Sequence, residues 1–134
     1  MFKEVKIESR IENLRLVENA IDEFSSELGI EQENYGKILV SIMEAVNNAI
    51  VHGNKSVHSK LVEIEISFTD NILKISVADQ GPGFKPKEIP DPTRPENIES
   101  INGRGVFLMS KLADEIEFND SGNKVTMYFK NIKT

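Results

Sequence analysis

Residues 38–54 read ILVSIMEAVNNAIVHGN, and this stretch decides which fold the rest of the chain can adopt. Apolar residues surround it on almost every side, which predicts a helix packed inside the domain. Glu44, Asn48 and His52 follow one another at intervals of four, so they form one narrow polar stripe. A buried, unpaired carboxylate is costly, and the stripe therefore predicts a metal, a ligand or another side chain as its partner. A solvated helix face is the alternative that the stretch alone leaves open.

Composition limits the kind of protein. With 134 residues, 39% of them hydrophobic and 28% charged, the chain is predicted to form one domain, residues 1–134. No apolar run approaches the roughly 18 residues of a membrane span, and the N-terminus lacks a signal peptide, so we expect a cytoplasmic location. The absence of cysteine excludes disulfides and thiol nucleophiles. The net charge of -6 argues against nucleic acid as a direct partner and favours a protein or a small molecule that carries its own Mg²⁺.

The first third of the chain is predicted to form a strand and two helices. Residues 2–8 alternate imperfectly between charged and apolar side chains, as an edge strand with one wet face would. A helix then begins with Ser9 as its N-cap and closes at Gly29. The second helix is predicted over residues 31–52, and Gly53 just beyond it is a helix stop signal.

Two hairpins and a third helix are predicted in the remainder. Residues 61–68 and 72–79 form the first hairpin, and residues 115–118 and 124–129 form the second. The third helix is predicted over residues 103–113. This order predicts an α+β fold, a two-layer sandwich in which a mixed, mostly antiparallel sheet carries three helices on one face.

The segment between the hairpins, residues 84–102, has few apolar residues. All five prolines of the chain lie between residues 82 and 95. A long segment without secondary structure inside a compact domain is commonly a functional lid or a disordered linker. Its position between two glycine motifs favours the lid.

The first glycine motif follows the strand that ends at Asp79. Gly81 and Gly83 come directly after this aspartate. A strand-terminal carboxylate can accept a hydrogen bond from the exocyclic amine of a base, and glycines let a flat ring lie against bare backbone. An ordinary turn is the alternative, because Asp and Gly favour turns for steric reasons.

The second glycine motif, Gly103-Arg104-Gly105, opens the third helix. Free N–H groups at a helix start bind anions, so this motif suits a triphosphate, although a flexible lead-in is the alternative. The ordered combination of both motifs with the polar stripe favours a nucleoside triphosphate, whose Mg²⁺ needs only one amide oxygen from Asn48. No P-loop and no Rossmann fingerprint occur.

Three segments of the sequence resemble the motifs of one family. EAVNNAIVHGN at 44–54 resembles the N box, DQGPGF at 79–84 the G1 box and GRGVFLM at 103–109 the G2 box of the GHKL ATP-binding superfamily. Within it, the chain is most similar to the small bacterial anti-sigma factor serine kinases. The resemblance implies the Bergerat-type sandwich and binding of ATP with Mg²⁺.

The resemblance also implies roles for the residues of the first two boxes. Glu44 matches the acid that acts as general base or orients the attacking hydroxyl, and Asn48 matches the Mg²⁺ ligand. Asp79 matches the carboxylate that reads adenine, while Gly81 and Gly83 match the glycines that shape the pocket floor.

Further roles follow from the resemblance for residues nearer the phosphates. Gly103, Arg104, Gly105 and the adjoining Val106 match the phosphate loop. Thr126 matches a hydroxyl that often joins the water network of the adenine. His52 matches a residue near the phosphates at the helix end.

The function implied is that of a protein-serine kinase that phosphorylates a STAS-domain anti-anti-sigma partner and sequesters a sigma factor. A homodimer is also implied by the resemblance, whereas the net charge and the lack of a long apolar run predict no direct nucleic-acid or membrane contacts. The alternative is an ATP-binding regulatory module that holds a protein partner without phosphoryl transfer. A detached ATP-binding half of a histidine kinase is disfavoured, because Phe107 stands where such kinases have a glycine.

Overall fold

Five strands with alternating buried and exposed residues form one sheet in a computed structural model that describes residues 1–81 and 109–132. They are β1 (Phe2–Glu8), β2 (Leu61–Thr69), β3 (Ile72–Ala78), β4 (Glu115–Phe118) and β5 (Lys124–Lys130). The strand order is β1-β2-β3-β5-β4, and all four neighbouring pairs are antiparallel. The predicted edge strand and both hairpins are confirmed. In the first hairpin Asp70 and Asn71 adopt φ values of 54° and 62°, as a two-residue turn between twisted strands requires.

Two long helices, α1 (Leu14–Leu28) and α2 (Gln32–Asn48), pack on one face of this sheet. A short 3-10 turn, Ile11–Asn13, precedes α1. The predicted end of α1 is confirmed, because Gly29 adopts a left-handed conformation with φ 69° and donates its N–H to the carbonyl oxygen of Ser25. The two-layer α+β sandwich is therefore confirmed.

The core of the domain lies between the helices and the sheet. It is built from aliphatic and aromatic side chains that recur every three or four residues on the helices and every second residue on the strands. Its fully buried members include Val17, Ile38, Ile42, Val46, Ile50, Val62, Ile64, Ile66, Leu73, Ile75 and Met127.

The predicted third helix and the predicted lid fall mostly outside the described residues. Only residues 109–112 of the helix are described, and they are helical, with Met109 buried in the core. The predicted lid, residues 84–102, lies wholly outside the described residues. No helix within residues 1–81 and 109–132 has the length and hydropathy that crossing a membrane requires.

The prediction of Ser9 as the N-cap of α1 is wrong. Ser9 is 1% exposed, and its hydroxyl donates to the carbonyl oxygen of Lys60 at 2.7 Å. A buried hydroxyl must find a partner, and here the partner is the residue before β2. Asn13 precedes α1 instead and provides no side-chain cap.

The second predicted helix changes its hydrogen bonding before it ends. After α2, residues Ala49–Gly53 form a π turn, in which the N–H of Asn54 donates to the carbonyl oxygen of Ala49 at 2.8 Å. A π turn is wider than an α turn, so His52 is not in α-helical register with Glu44 and Asn48. Such turns occur frequently at functional sites.

Candidate nucleotide-binding site

The end of the π turn lies directly against the end of β3. A Cβ atom added to Gly53 would lie 2.3 Å from Cγ of Asp79, and one added to Gly81 would lie 2.0 Å from the carbonyl oxygen of Gly53. A Cβ at Gly53 would displace the Asp79 side chain, and a Cβ at Gly81 would displace the backbone of Gly53. The structure thus brings Asp79 and Gly81 to the end of the helix that carries Asn48.

The carboxylate of Asp79 is partly buried, and its hydrogen bonds and charged neighbours offset only part of the cost of that burial. Its Oδ1 accepts the N–H of Gly81 at 2.8 Å, and its backbone N–H donates to the carbonyl oxygen of Asn123 at 2.9 Å. Burial raises the pKa of Asp79 above its ordinary value, while the Gly81 N–H and the charge of Lys60 act in the opposite direction. A carboxylate in this setting gains from an additional hydrogen-bond donor. The residues present therefore fit a ligand that presents an amine to Asp79.

The raised pKa of Asp79 predicts how the stability of the nucleotide-free protein depends on pH. The pKa of Asp79 is higher in the folded protein than in the unfolded chain. Ionising Asp79 therefore destabilises the folded state, and this destabilisation is absent at low pH, where Asp79 is protonated in both states. Asp79→Asn should therefore gain stability relative to the wild type as the pH rises through the folded pKa. We expect a gain below about 1 kcal/mol, because solvent screens a partly exposed group.

Urea unfolding of both proteins between about pH 3.5 and pH 7 measures this difference in unfolding free energy. A variant that loses stability relative to the wild type as the pH rises would contradict the stated effect of burial on Asp79.

The polar stripe on α2 lies at the boundary of the core. Glu44, Asn48 and His52 are all partly buried, so they are neither sealed in the interior nor fully in water. At 1.5 Å per residue, Glu44 and Asn48 lie roughly 6 Å apart along α2, and the π turn that follows ends at Gly53, beside Asp79. Asn48 therefore lies between Glu44 and the end of the π turn.

Thr126 is separated from Asp79 by the sheet. Its neighbours Val125 and Met127 are buried towards the helices, and Thr126 pairs with Ser76 on the opposite face. Side chains alternate between the two faces of a strand. The predicted role of Thr126 in the water network of the adenine is therefore not supported by its placement.

Five predicted site residues fall outside the described residues. Their roles in the pocket floor and the phosphate loop stay predictions. They are Gly83, Gly103, Arg104, Gly105 and Val106.

Sequence reasoning missed two asparagines that border this site. Asn123 borders it through the Asp79 backbone contact, and its Nδ2 donates to the carbonyl oxygen of Gly81 at 3.5 Å. Asn54, which directly follows Gly53, accepts the N–H of Gln80 on its Oδ1 at 2.7 Å. Both lie in turn-forming stretches, so the sequence carried no signal beyond an ordinary loop.

Similarity to known proteins agrees with this geometry. The histidine kinase-like ATPase domain family matches residues 7–129. The chain belongs to this family, within the branch of anti-sigma factor serine kinases. The family is one of ATP-binding domains.

The matches with individual relatives cover most of this chain and most of each relative. The serine-protein kinase RsbW of Oceanobacillus iheyensis is 24% identical over 96% of this chain and 85% of its own length. RsbW of Bacillus licheniformis is 29% identical over 92% and 82%. An anti-sigma F factor of Clostridium perfringens is 31% identical over 89% of each.

A solved structure shares the fold. A crystal structure of the RsbU and RsbW domains of a Mycobacterium tuberculosis protein superposes with a TM-score of 0.71. It is 18% identical, and the match covers 97% of this chain and 32% of that one.

Proposed function

We propose that the chain is an Mg-ATP-dependent protein-serine kinase of the anti-sigma factor type, which phosphorylates a STAS-domain anti-anti-sigma partner and sequesters a sigma factor. One observation carries the proposal: the partly buried Asp79 carboxylate lies against the glycine end of the helix that carries Glu44 and Asn48. The names of the relatives, serine-protein kinase and anti-sigma F factor, support the two activities.

Asp79 selects the base. Its Oδ1 accepts the N–H of Gly81, and the carboxylate retains further lone pairs for a ligand. Adenine presents an exocyclic amine, which donates to this carboxylate, whereas guanine presents a carbonyl oxygen at the same position. Two opposed acceptors repel, so the site favours ATP over GTP.

Asn48 and the segment of residues 103–106 hold the phosphates. The residues described include no cluster of three or more acidic or histidine side chains that could hold a metal ion. A single amide oxygen from Asn48, with phosphate oxygens and water, is sufficient for Mg²⁺. When held by Asn48 in this way, Mg²⁺ would supply positive charge beside the phosphate oxygens. Gly103, Arg104, Gly105 and Val106 then bind phosphate oxygens through backbone N–H groups and the Arg104 side chain.

Glu44 acts on the incoming serine. Its carboxylate accepts the hydroxyl proton as the serine oxygen bonds to the γ-phosphorus and the bond to the ADP oxygen breaks. The products are ADP, phosphoserine and a protonated Glu44. A partly buried position suits this role, because Glu44 remains accessible to a protein substrate.

The partners follow from the same proposal. The sigma factor and the STAS-domain protein bind outside the nucleotide site, and the chain acts as a homodimer without direct nucleic-acid or membrane contacts. Among the described residues β1 lies at one edge of the sheet, and this supports dimer formation, because an edge strand presents backbone groups for pairing and Phe2 is 64% exposed.

Glu44→Gln tests the kinase activity. We expect phosphoryl transfer to fall about 10²- to 10⁴-fold, because the amide cannot accept the proton, with nearly unchanged ATP affinity. Single-turnover transfer from labelled ATP to a STAS protein encoded beside the gene measures the first quantity, and calorimetry the second.

Glu33→Gln is the matched control, because Glu33 is exposed in the first turn of the same helix. Transfer by Glu44→Gln at the wild-type rate would remove Glu44 from the mechanism. If mass spectrometry detects no phosphoserine on any STAS partner although the wild type binds ATP, the chain is an ATP-binding regulatory module instead.

A further inference from the structure

Asn54 is a buried amide beside the candidate site that the proposed chemistry does not use. Its exposure is 0%, although it directly follows the helix end at Gly53. Its backbone is held on both sides: the N–H donates to Ala49 at 2.8 Å, and the carbonyl oxygen accepts from Val57 at 3.0 Å. A buried amide is normally hydrogen-bonded throughout. Its side-chain partners therefore indicate what it holds.

The side chain of Asn54 joins three separate segments of the chain. Its Nδ2 donates to Oγ of Ser9 at 2.8 Å and to the carbonyl oxygen of Leu61 at 3.0 Å. Its Oδ1 accepts the backbone N–H of Gln80 at 2.7 Å. These partners lie just after β1, at the first residue of β2 and in the loop that follows β3.

Only one orientation of the amide satisfies all three partners. Ser9 donates its own proton to the carbonyl oxygen of Lys60 at 2.7 Å, so its oxygen faces Asn54 as an acceptor. The carbonyl oxygen of Leu61 can only accept, and the N–H of Gln80 can only donate. The surroundings of this side chain thus require two N–H donors on one side and an acceptor on the other. Among side chains of this size, a primary amide meets that requirement.

The bond to Gln80 holds the backbone of the residue that directly follows Asp79. Gln80 stands between Asp79 and Gly81, and its own Oε1 accepts the N–H of Leu61 at 2.7 Å. The loop is therefore tied to the start of β2 directly through Gln80 and indirectly through Asn54. Since Asn54 is also anchored to the helix end, it connects that end with the loop that carries Asp79.

We propose that Asn54 is a positioning residue for base selection, which holds the loop of residues 79–81 so that Asp79 distinguishes adenine from guanine. Asn54 acts through the backbone of Gln80, because full burial keeps its side chain from the ligand. The inference rests on the proposed function, since it presupposes a nucleotide at Asp79.

The ratio of the GTP and ATP dissociation constants tests this role. Calorimetry on the full chain is compared for the wild type, Asn54→Ala and Asn34→Ala. Asn34 is the matched control, because its Nδ2 donates to the carbonyl oxygen of Ile132 at 3.1 Å in another part of the fold. We expect Asn54→Ala to lower the ratio about tenfold, the effect of one lost hydrogen bond, and Asn34→Ala to leave it unchanged.

A merely structural role gives a different result. It would weaken ATP and GTP binding by the same factor and preserve the ratio, which would overturn the inference. In an Asp79→Asn background, Asn54→Ala should change ATP affinity by less than about twofold, because the residue through which it acts is already altered. Independent, additive losses would also overturn it.

Two further measurements keep the inference testable if Asn54→Ala does not fold. The first uses Asn54→Ser in place of Asn54→Ala, once circular dichroism has shown that the serine variant folds. We expect the same fall in the ratio of the GTP and ATP dissociation constants. In the wild type, the Gln80 amide should resist hydrogen exchange, and an unprotected amide would overturn the inference. A wild type that binds neither nucleotide would overturn the proposed function itself, whereas an unchanged preference for ATP in the variants overturns only the role of Asn54.

Discussion

Asp79→Asn is expected to reduce ATP affinity at least about 100-fold, because a site that hydrogen-bonds a polar group strongly rejects a mismatched partner. The substitution replaces an acceptor of the exocyclic amine by an amide that also presents N–H donors. Oδ1 can still accept the N–H of Gly81, so the loop keeps its local turn. Calorimetric titration with Mg-ATP measures the loss.

The same variant separates binding from folding. It should be no less stable than the wild type near pH 7, because it removes a carboxylate whose pKa burial raises. Asp70→Asn is the matched control, since Asp70 is exposed in the β2–β3 turn, where its positive φ suits asparagine. Unchanged ATP affinity in Asp79→Asn would contradict the nucleotide site itself.

Gly81→Ala is expected to have the largest effect on folding. Its Cβ would lie 2.0 Å from the carbonyl oxygen of Gly53 and 3.0 Å from Oδ1 of Asp79. The first clash is with backbone, so the helix end and the loop must move apart. We expect a loss of about 1–3 kcal/mol in unfolding free energy, the typical cost of overpacking, together with loss of ATP binding. Urea unfolding and calorimetry measure the two effects.

Gly36→Ala is the matched control for this substitution. Gly36 lies inside α2, and a Cβ there would have nothing within 4 Å. Alanine is favoured over glycine in a helix, so this variant should gain up to about 1 kcal/mol. Equal stability of Gly81→Ala and the wild type would contradict the close approach of Gly81 to Gly53.

Gly53→Ala should behave differently from Gly81→Ala. Its Cβ would meet the side chain of Asp79, with Cγ at 2.3 Å, rather than backbone. A side chain can rotate away more easily than backbone can shift, so the displaced group is the base-reading carboxylate. Substitution of Gly81 is therefore expected to shift the loop backbone, whereas substitution of Gly53 is expected to displace the Asp79 carboxylate.

The strands were predictable because alternation is a local property. The edge strand, both hairpins and the α1 stop at Gly29 all agree with the structure. The end of α2 was not predictable, because a π turn has no distinct spacing of its own in the sequence and α-helical periodicity continues through it. Ser9 was misassigned for a related reason: serine before a helix usually caps it, but burial beside Lys60 overrides that preference.

The candidate site was only partly predictable. Glu44 and Asn48 stood out because they interrupt an apolar helix, and Asp79 stood out because it ends a strand directly before two glycines. Thr126 was assigned by resemblance, and the strand register then placed it on the other face of the sheet.

The sequence by itself determined the order of helices and strands, the α+β class and the spacing of the acid and amide on one helix. The tertiary structure alone decided that Gly53 touches Asp79 and that Asn54 joins residues 26 and 45 positions away. The spacing of apolar residues indicates which face of each helix or strand is apolar, and a stretch of about ten residues is enough to show it. Contacts between distant segments depend on how the elements pack, and glycine or asparagine in a turn looks the same whether it is exposed or enclosed.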